Sequence, residues 1–309
     1  MPRTTHLALS LIFCASLTPL LTPLAHAQIV DVAPKQDSSV AKASQRAERY
    51  PQFPQINFPQ DSRVWALVSD LNVRVEPNPK AKVIAKLPIG TEVTVLSDPD
   101  KEPEMIQNSI SAKWLRGRFT LNGSVREGYI WSGVLTRIRI KSVADDGTYF
   151  YLGMQGIKTD ASRENDKMLN QIRAANNGVE IAKLSFIAPN EPHFNVAGAS
   201  EGTQGLQGVN DVLMLNYIAQ AHGFPYGEVI VFWTGTQFIL GETAHKYIDT
   251  PVYDQSYWIL PSEAGGKKGV IQWRHEAGES NLENNQPDKI ISKETAEWIW
   301  TGSSMQKKM

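Results

Sequence analysis

Residues 71–96 read LNVRVEPNPKAKVIAKLPIGTEVTVL, and the spacing of their apolar residues sets the expectation for the fold. Leu71, Val73 and Val75 alternate with Asn72, Arg74 and Glu76, the period of a strand that buries one face. Pro77-Asn78-Pro79 turns the chain, Val83, Ala85, Leu87 and Ile89 form a second alternating face, and Gly90 supplies a corner before Val93 and Val95. Working outward, Trp114 to Phe119 reads as a further strand, Asn122-Gly123 is a hairpin turn signal, and Gly128-Tyr129-Ile130-Trp131 returns. Five short strands between residues 64 and 138 predict a small closed barrel, since closure removes exposed sheet edges.

The order Leu71-Asn72-Val73-Arg74, Pro77, Val83-Ile84, Leu87, Gly90-Thr91, Val93 to Leu96, Trp114, Gly123 and Gly128-Tyr129-Ile130 resembles the bacterial SH3 (SH3b) family over residues 64–138. The insert Ser97 to Lys113 is longer and more polar than the loop usual between those strands. The resemblance implies an SH3-like barrel and a role in recognition. Such modules are commonly attached to envelope proteins and wall hydrolases, with peptidoglycan or peptides as ligands. A ligand face is then expected from the exposed edges of Trp114, Tyr129 and Trp131, with Asn72 and Arg74 beside them. Aromatic planes give rigid contact area there, and Asn and Arg add oriented donors. The structural alternative is that half of these aromatics fill the core while Asn72 and Arg74 brace the turn after their strand.

The N-terminus reads as a secretory signal over residues 1–27. Arg3 is followed by an apolar run from Leu7 to Leu24, broken late by Pro19 and Pro23, and Ala25-His26-Ala27 offers a cleavage site before Gln28. Cys14 lies in the middle of the apolar run behind the bulky Phe13, so no lipid anchor is expected. Cleavage takes Lys+Arg from 31 to 30 against 32 Asp+Glu, and a net −2 gives no electrostatic case for nucleic-acid binding. It also removes the single cysteine, which excludes disulfides and a cysteine hydrolase and leaves each domain to its own core. A periplasmic or secreted location, with no transmembrane segment after cleavage, is expected. Residues 28–61, with Pro34, Pro51, Pro54 and Pro59 among polar residues, read as a flexible spacer.

Residues 139–309 form a second, β-rich domain, to follow the barrel of residues 62–138. Thr148 to Leu152, Val179 to Ile187, Val212 to Ile218 and Glu228 to Trp233 read as strands. Glu164 to Asn177 reads as a helix instead, with Met168, Leu169, Ile172 and Ala175 on one face and Gly178 as its stop. The expected fold class is therefore mainly β: a small SH3-like barrel, then a β-rich domain with one or two helices. Trp131-Ser132-Gly133, Trp233-Thr234-Gly235 and Trp300-Thr301-Gly302 each end an aromatic strand in a glycine turn. Trp233, Trp258, Trp273, Trp298 and Trp300 are expected in the core of this domain. Its run GEVIVFWTGTQF, residues 227–238, resembles the C-terminal part of uncharacterised exported bacterial proteins with SH3-type modules, and that resemblance implies no activity.

Catalytic chemistry finds little support. Ser39-Val40-Ala41-Lys42 and Ser304-Met305-Gln306-Lys307 fit S-x-x-K, but a spacer and a chain end cannot hold a preorganised oxyanion hole. After cleavage the histidines are His193, His222, His245 and His275, and His275-Glu276 lacks the second histidine of a zinc helix. Glu242, His245 and Asp249 are spaced for one helix face and weakly permit a metal ligand set. Gly198, Gly202, Gly205 and Gly208 lack the Lys-Ser/Thr ending of a phosphate loop. No catalytic residue, metal or cofactor is expected. The sequence predicts an exported envelope protein that binds peptidoglycan stem peptide or an envelope protein. The competing expectation is a cell-wall hydrolase of unrecognised type, anchored by the SH3-type module.

Overall fold

The computed structural model describes residues 56, 58–158, 167–189, 195–218, 223, 226–281 and 288–309, all within the compact unit formed by residues 34–309. The signal segment with Cys14, Ser39 to Lys42 and most of the spacer lie outside the described residues. Among those described, the chain forms twenty strands and two short 3-10 turns, so the mainly β class holds. No helix among them is long and apolar enough to cross a membrane.

The first sheet runs from β1 (Arg63–Ala66) through β2 (Leu71–Arg74), β3 (Val83–Leu87), β4 (Glu92–Val95), β5 (Glu104–Gln107), β6 (Ile110–Leu121) and β7 (Ser124–Trp131) to β8 (Leu135–Thr136). Strands β2, β3 and β4 all fall within residues 71–96, although Val75 and Val83, expected on the buried faces, are exposed beside a bulge at Val73/Arg74. Asn122 and Gly123 close the β6–β7 hairpin at φ 52° and 75°, as a two-residue turn requires. One core collects Val64, Leu71, Val73, Leu87, Val93, Val95, Leu115, Phe119, Ile130 and Leu135, so the sheet curves around its own interior. Phe58, from the end of the expected spacer, is buried in the same core.

The sheet does not close. Its order is β3-β2-β7-β6-β4-β1-β8, with β5 attached to β6 alone, and β3 and β8 remain its two ends. The expected closed barrel is thus corrected to an open, curved sheet, and its β8 edge is covered in another way. The Thr136 hydroxyl donates to the Leu152 carbonyl of the next sheet, so neighbouring structure protects the edge that closure was expected to remove.

That next sheet holds β9 (Ile138–Lys141), β10 (Thr148–Lys158), β11 (Lys167–Asn176) and β12 (Val179–Ile187) in the order β12-β11-β10-β9. The third is a meander of eight strands: β13 (Asn195–Ser200), β14 (Asp211–Ile218), β15 (Tyr226–Trp233), β16 (Phe238–Asp249), β17 (Val252–Ile259), β18 (Val270–Glu279), β19 (Lys289–Trp300) and β20 (Met305–Lys307). Strands β14 and β15 are buried on both faces. Leu213, Leu215, Val229, Val231 and Trp233 pack on Phe150, Leu152, Met168 and Ile172 of the second sheet. Val212, Met214, Ile230 and Phe232 share a second core with Trp258, Ile271 and Trp300. This is why residues 229–233 read as a continuous apolar run rather than an alternation. Trp233, Trp258 and Trp300 are buried, and Trp273 and Trp298 pack against the same core. Gly235 and Gly302, both at φ 94°, hold the turns after their tryptophans.

The helix expected over residues 164–177 is overturned where the structure describes it: residues 167–176 are β11. Met168, Ile172 and Ala174 point into the shared core with the period of a strand, but the fully buried polar Asn170 stands between them and hides the alternation. Gly178 does not stop a helix. With Asn177 (φ 49° and 79°) it forms the turn of the β11–β12 hairpin.

The first sheet packs closely on the others. Leu67 and Ile89 meet Tyr151 and Ala175 in a shared cluster, and Arg139 lies 3.8 Å over the Tyr149 ring and 5.5 Å from that of Trp65. The insert Ser97 to Lys113 takes part: its β5–β6 turn brings the Asn108 carbonyl to the Ile157 amide at 3.3 Å. Gly90 makes the closest approach. At φ 79°, a Cβ there would lie 2.3 Å from the Tyr151 Oη. Gly90→Ala is expected to destabilise by about 1–3 kcal/mol through strained backbone and displaced Tyr151. Chemical denaturation checks this, and unchanged stability would show that the two sheets yield easily at this contact.

Candidate functional site

Strands β6 and β7 carry most of the expected site. Their inner face sends Leu115, Phe119 and Ile130 into the first core. On the opposite face the register pairs Trp114 with Trp131, Arg116 with Tyr129 and Arg118 with Glu127. One strand length therefore changes chemistry from tryptophan to arginine.

The tryptophan end is covered. Trp114 and Trp131 are only 4% and 6% exposed and share a core with Phe150, Val231 and Trp233, and the Trp131 indole N–H reaches the Met105 and Ala112 carbonyls at 3.2 Å. The expectation of exposed ring edges is corrected for these two residues, because the second and third sheets pack over that end of the hairpin. Tyr129 marks the boundary, half-buried against the same core.

The arginine end faces solvent. Arg116 Nη2 lies 2.7 Å from Glu127 Oε2, and Arg118 holds Glu127 Oε1 through Nε at 3.0 Å and Nη2 at 2.9 Å. The Arg118 guanidinium first, and Arg116 after it, keep the Glu127 carboxyl below its ordinary range, partly offset by desolvation. A lowered folded value means that this contact is complete above the ordinary carboxylate range and is lost as pH falls through the lowered one. Arg74 pairs in register with Tyr129 and donates through Nη1 to the Ala81 carbonyl at 2.5 Å. That contact does brace the turn after β2, and Arg74 has no carboxylate partner among the described residues. Asn72 is exposed on the same strand, opposite Lys86.

The other sequence candidates separate in space. Glu242, His245 and Asp249 lie along the extended β16, not on a helix, which sets the outer two roughly 23 Å apart. No group of three His, Cys, Asp or Glu suited to a metal occurs among the described residues. The glycine stretch after residue 200 forms a turn pinned by Gln204, whose side chain accepts from the Ser262 amide and hydroxyl and donates to the Glu201 carbonyl. With Thr203, Pro261 and Lys268 it lines a shallow open hollow. A buried ion pair absent from the sequence reading joins Lys246 to Glu228 at 2.8 Å. No protein-family model, curated protein or solved structure matches the chain.

Proposed function

We propose that this is an exported envelope protein that acts by binding, with residues 62–138 as a bacterial SH3-type module that recognises peptidoglycan stem peptide or a protein segment. The observation that carries this reading is the solvent-facing surface of β2, β7 and β6. There Asn72, Arg74 and Tyr129 stand beside Arg116 and Arg118, on a sheet whose interior and tryptophan end are already packed. Polar donors and an aromatic ring held on a rigid sheet lose little entropy on capturing an extended ligand. The apolar N-terminal run and its Ala25-His26-Ala27 site support export.

Retention on insoluble peptidoglycan tests the reading. Wild-type protein is expected in the pellet, and Arg74→Ala, with unchanged circular dichroism, is expected to shift most of it to the supernatant. Equal retention of the two proteins would remove Arg74 from the site, and no retention of wild type would end the peptidoglycan reading. A zymogram on purified cell wall should show no clearing; a cleared zone would favour the hydrolase.

A further inference from the structure

The geometry points to a carboxylate-reading row: we propose that Arg74, Arg116 and Arg118, ordered by Glu127 and Tyr129, bind the side-chain carboxylates of an extended acidic peptide. This rests on the reading of the first unit as a recognition module and names the chemistry of its ligand. Arg74, Arg116 and Arg118 lie on one face around the Glu127 carboxylate, and the next acid on that face, Glu92, is taken up by Arg63 at 3.7 Å, on a chain whose formal net charge is −1. The excess of positive charge is therefore local to this face, and local charge of one sign selects partners of the other.

Glu127 orders the row without filling it. It takes one edge of Arg116 and one of Arg118, yet the two side chains remain 54% and 52% exposed. A guanidinium carries five N–H donors in a planar fork that fits a carboxylate through two parallel bonds, so each keeps donors for a second acid. Fixing the forks in advance also lowers the entropy lost on binding. Arg116 and Arg118 are two residues apart on one strand, roughly 7 Å, which is the repeat of same-side side chains in an extended peptide. Acids at alternate positions of such a peptide match that repeat. Tyr129, adjacent in register to both Arg74 and Arg116, offers a ring between the charges.

Two capped peptides test the inference on the full chain: one with glutamate at alternate positions, and its counterpart with glutamine at each. In NMR titrations of isotope-labelled protein, the glutamate peptide is expected to move the side-chain Nε–H signals of Arg74, Arg116 and Arg118. Its affinity should exceed that of the glutamine peptide by about tenfold or more and fall as salt is added. The exposed double substitution Arg116→Gln with Arg118→Gln should reduce the glutamate peptide to the level of the glutamine one. Equal affinity for the two peptides, no binding of the glutamate peptide, or shifts confined to other surfaces would each overturn carboxylate recognition. Retention on peptidoglycan is scored separately, so loss of this inference and loss of the broader reading remain distinct.

Discussion

Asp211→Ala is expected to lower stability by about 3–4 kcal/mol, among the largest effects of any single substitution in this chain. Asp211 is fully buried at the start of β14. Its Oδ2 accepts from the Ser142 hydroxyl at 2.6 Å, and its Oδ1 accepts from the Val143 amide at 2.8 Å and the Ser200 hydroxyl at 2.5 Å. One carboxylate thus ties the end of β9 to β13 and β14, joining the second sheet to the third. Alanine removes the acceptor for three donors at once, and a buried donor left unmade costs its full desolvation. Asp211→Asn keeps one oxygen acceptor, and a serine hydroxyl can turn to accept from the new amide, so its loss should be smaller. Thermal unfolding of the two variants checks the order. A melting temperature for Asp211→Ala within about 2 °C of wild type, where about 2–4 °C per kcal/mol is ordinary for a large domain, would show that water replaces the carboxylate.

The β6–β7 hairpin was legible in the sequence almost completely. A two-residue turn at Asn122-Gly123 fixes the register of everything beside it, so Arg118 must face Glu127, Arg116 must face Tyr129 and Trp114 must face Trp131, as observed. That register alone puts Arg116 and Arg118 on one face, whereas Arg74 joins them only through the pairing of β2 with β7. Which end of the face is covered could not be read. Trp114 and Trp131 lost their exposed edges to Phe150 and Trp233, residues far along the chain, and no local pattern reports such long-range packing.

The same limit explains the misread helix and the unclosed barrel. Asn177-Gly178 is as strong a hairpin signal as Asn122-Gly123, but the polar Asn170 in the middle of β11 broke the alternation before it. Asn170 is tolerated there because it donates to the Tyr217 hydroxyl at 2.6 Å from across the sandwich, a partner supplied by tertiary structure. Closure failed for a related reason. The β2–β4 strands and the β6–β7 hairpin follow the local pattern, although β5 and the start of β6 fall in the insert expected as a loop. The β8 strand found its cover in β10, so nothing required its edge to meet β3. Local period and turn chemistry carried the elements, while burial and edge protection depended on which sheet arrived opposite.

The Glu228–Lys246 pair should show the second large effect, and it separates specificity from stability. Glu228 is 1% and Lys246 7% exposed, 2.8 Å apart, and the ammonium lies 4.3 Å from the Tyr257 ring centroid. Sequence reading could not join them: they stand 18 residues apart and meet diagonally across β15 and β16, beyond a bulge that shifts the register between Val229 and Val231. Lys246→Met is expected to destabilise by about 3–5 kcal/mol, because it strands a carboxylate where water cannot reach it. Glu228 Oε2 and both amide atoms of the buried Asn216, its register partner on β14, have no hydrogen-bond partner among the described residues. Glu228→Leu combined with Lys246→Met removes both charges and their desolvation, and should fall within about 1 kcal/mol of wild type. The double-mutant cycle from denaturant unfolding would then give a coupling of at least about 2 kcal/mol. If the double variant instead loses as much as the sum of the singles, the pair contributes nothing beyond the separate packing of its two stems, and β15 and β16 are held in register by their apolar neighbours alone.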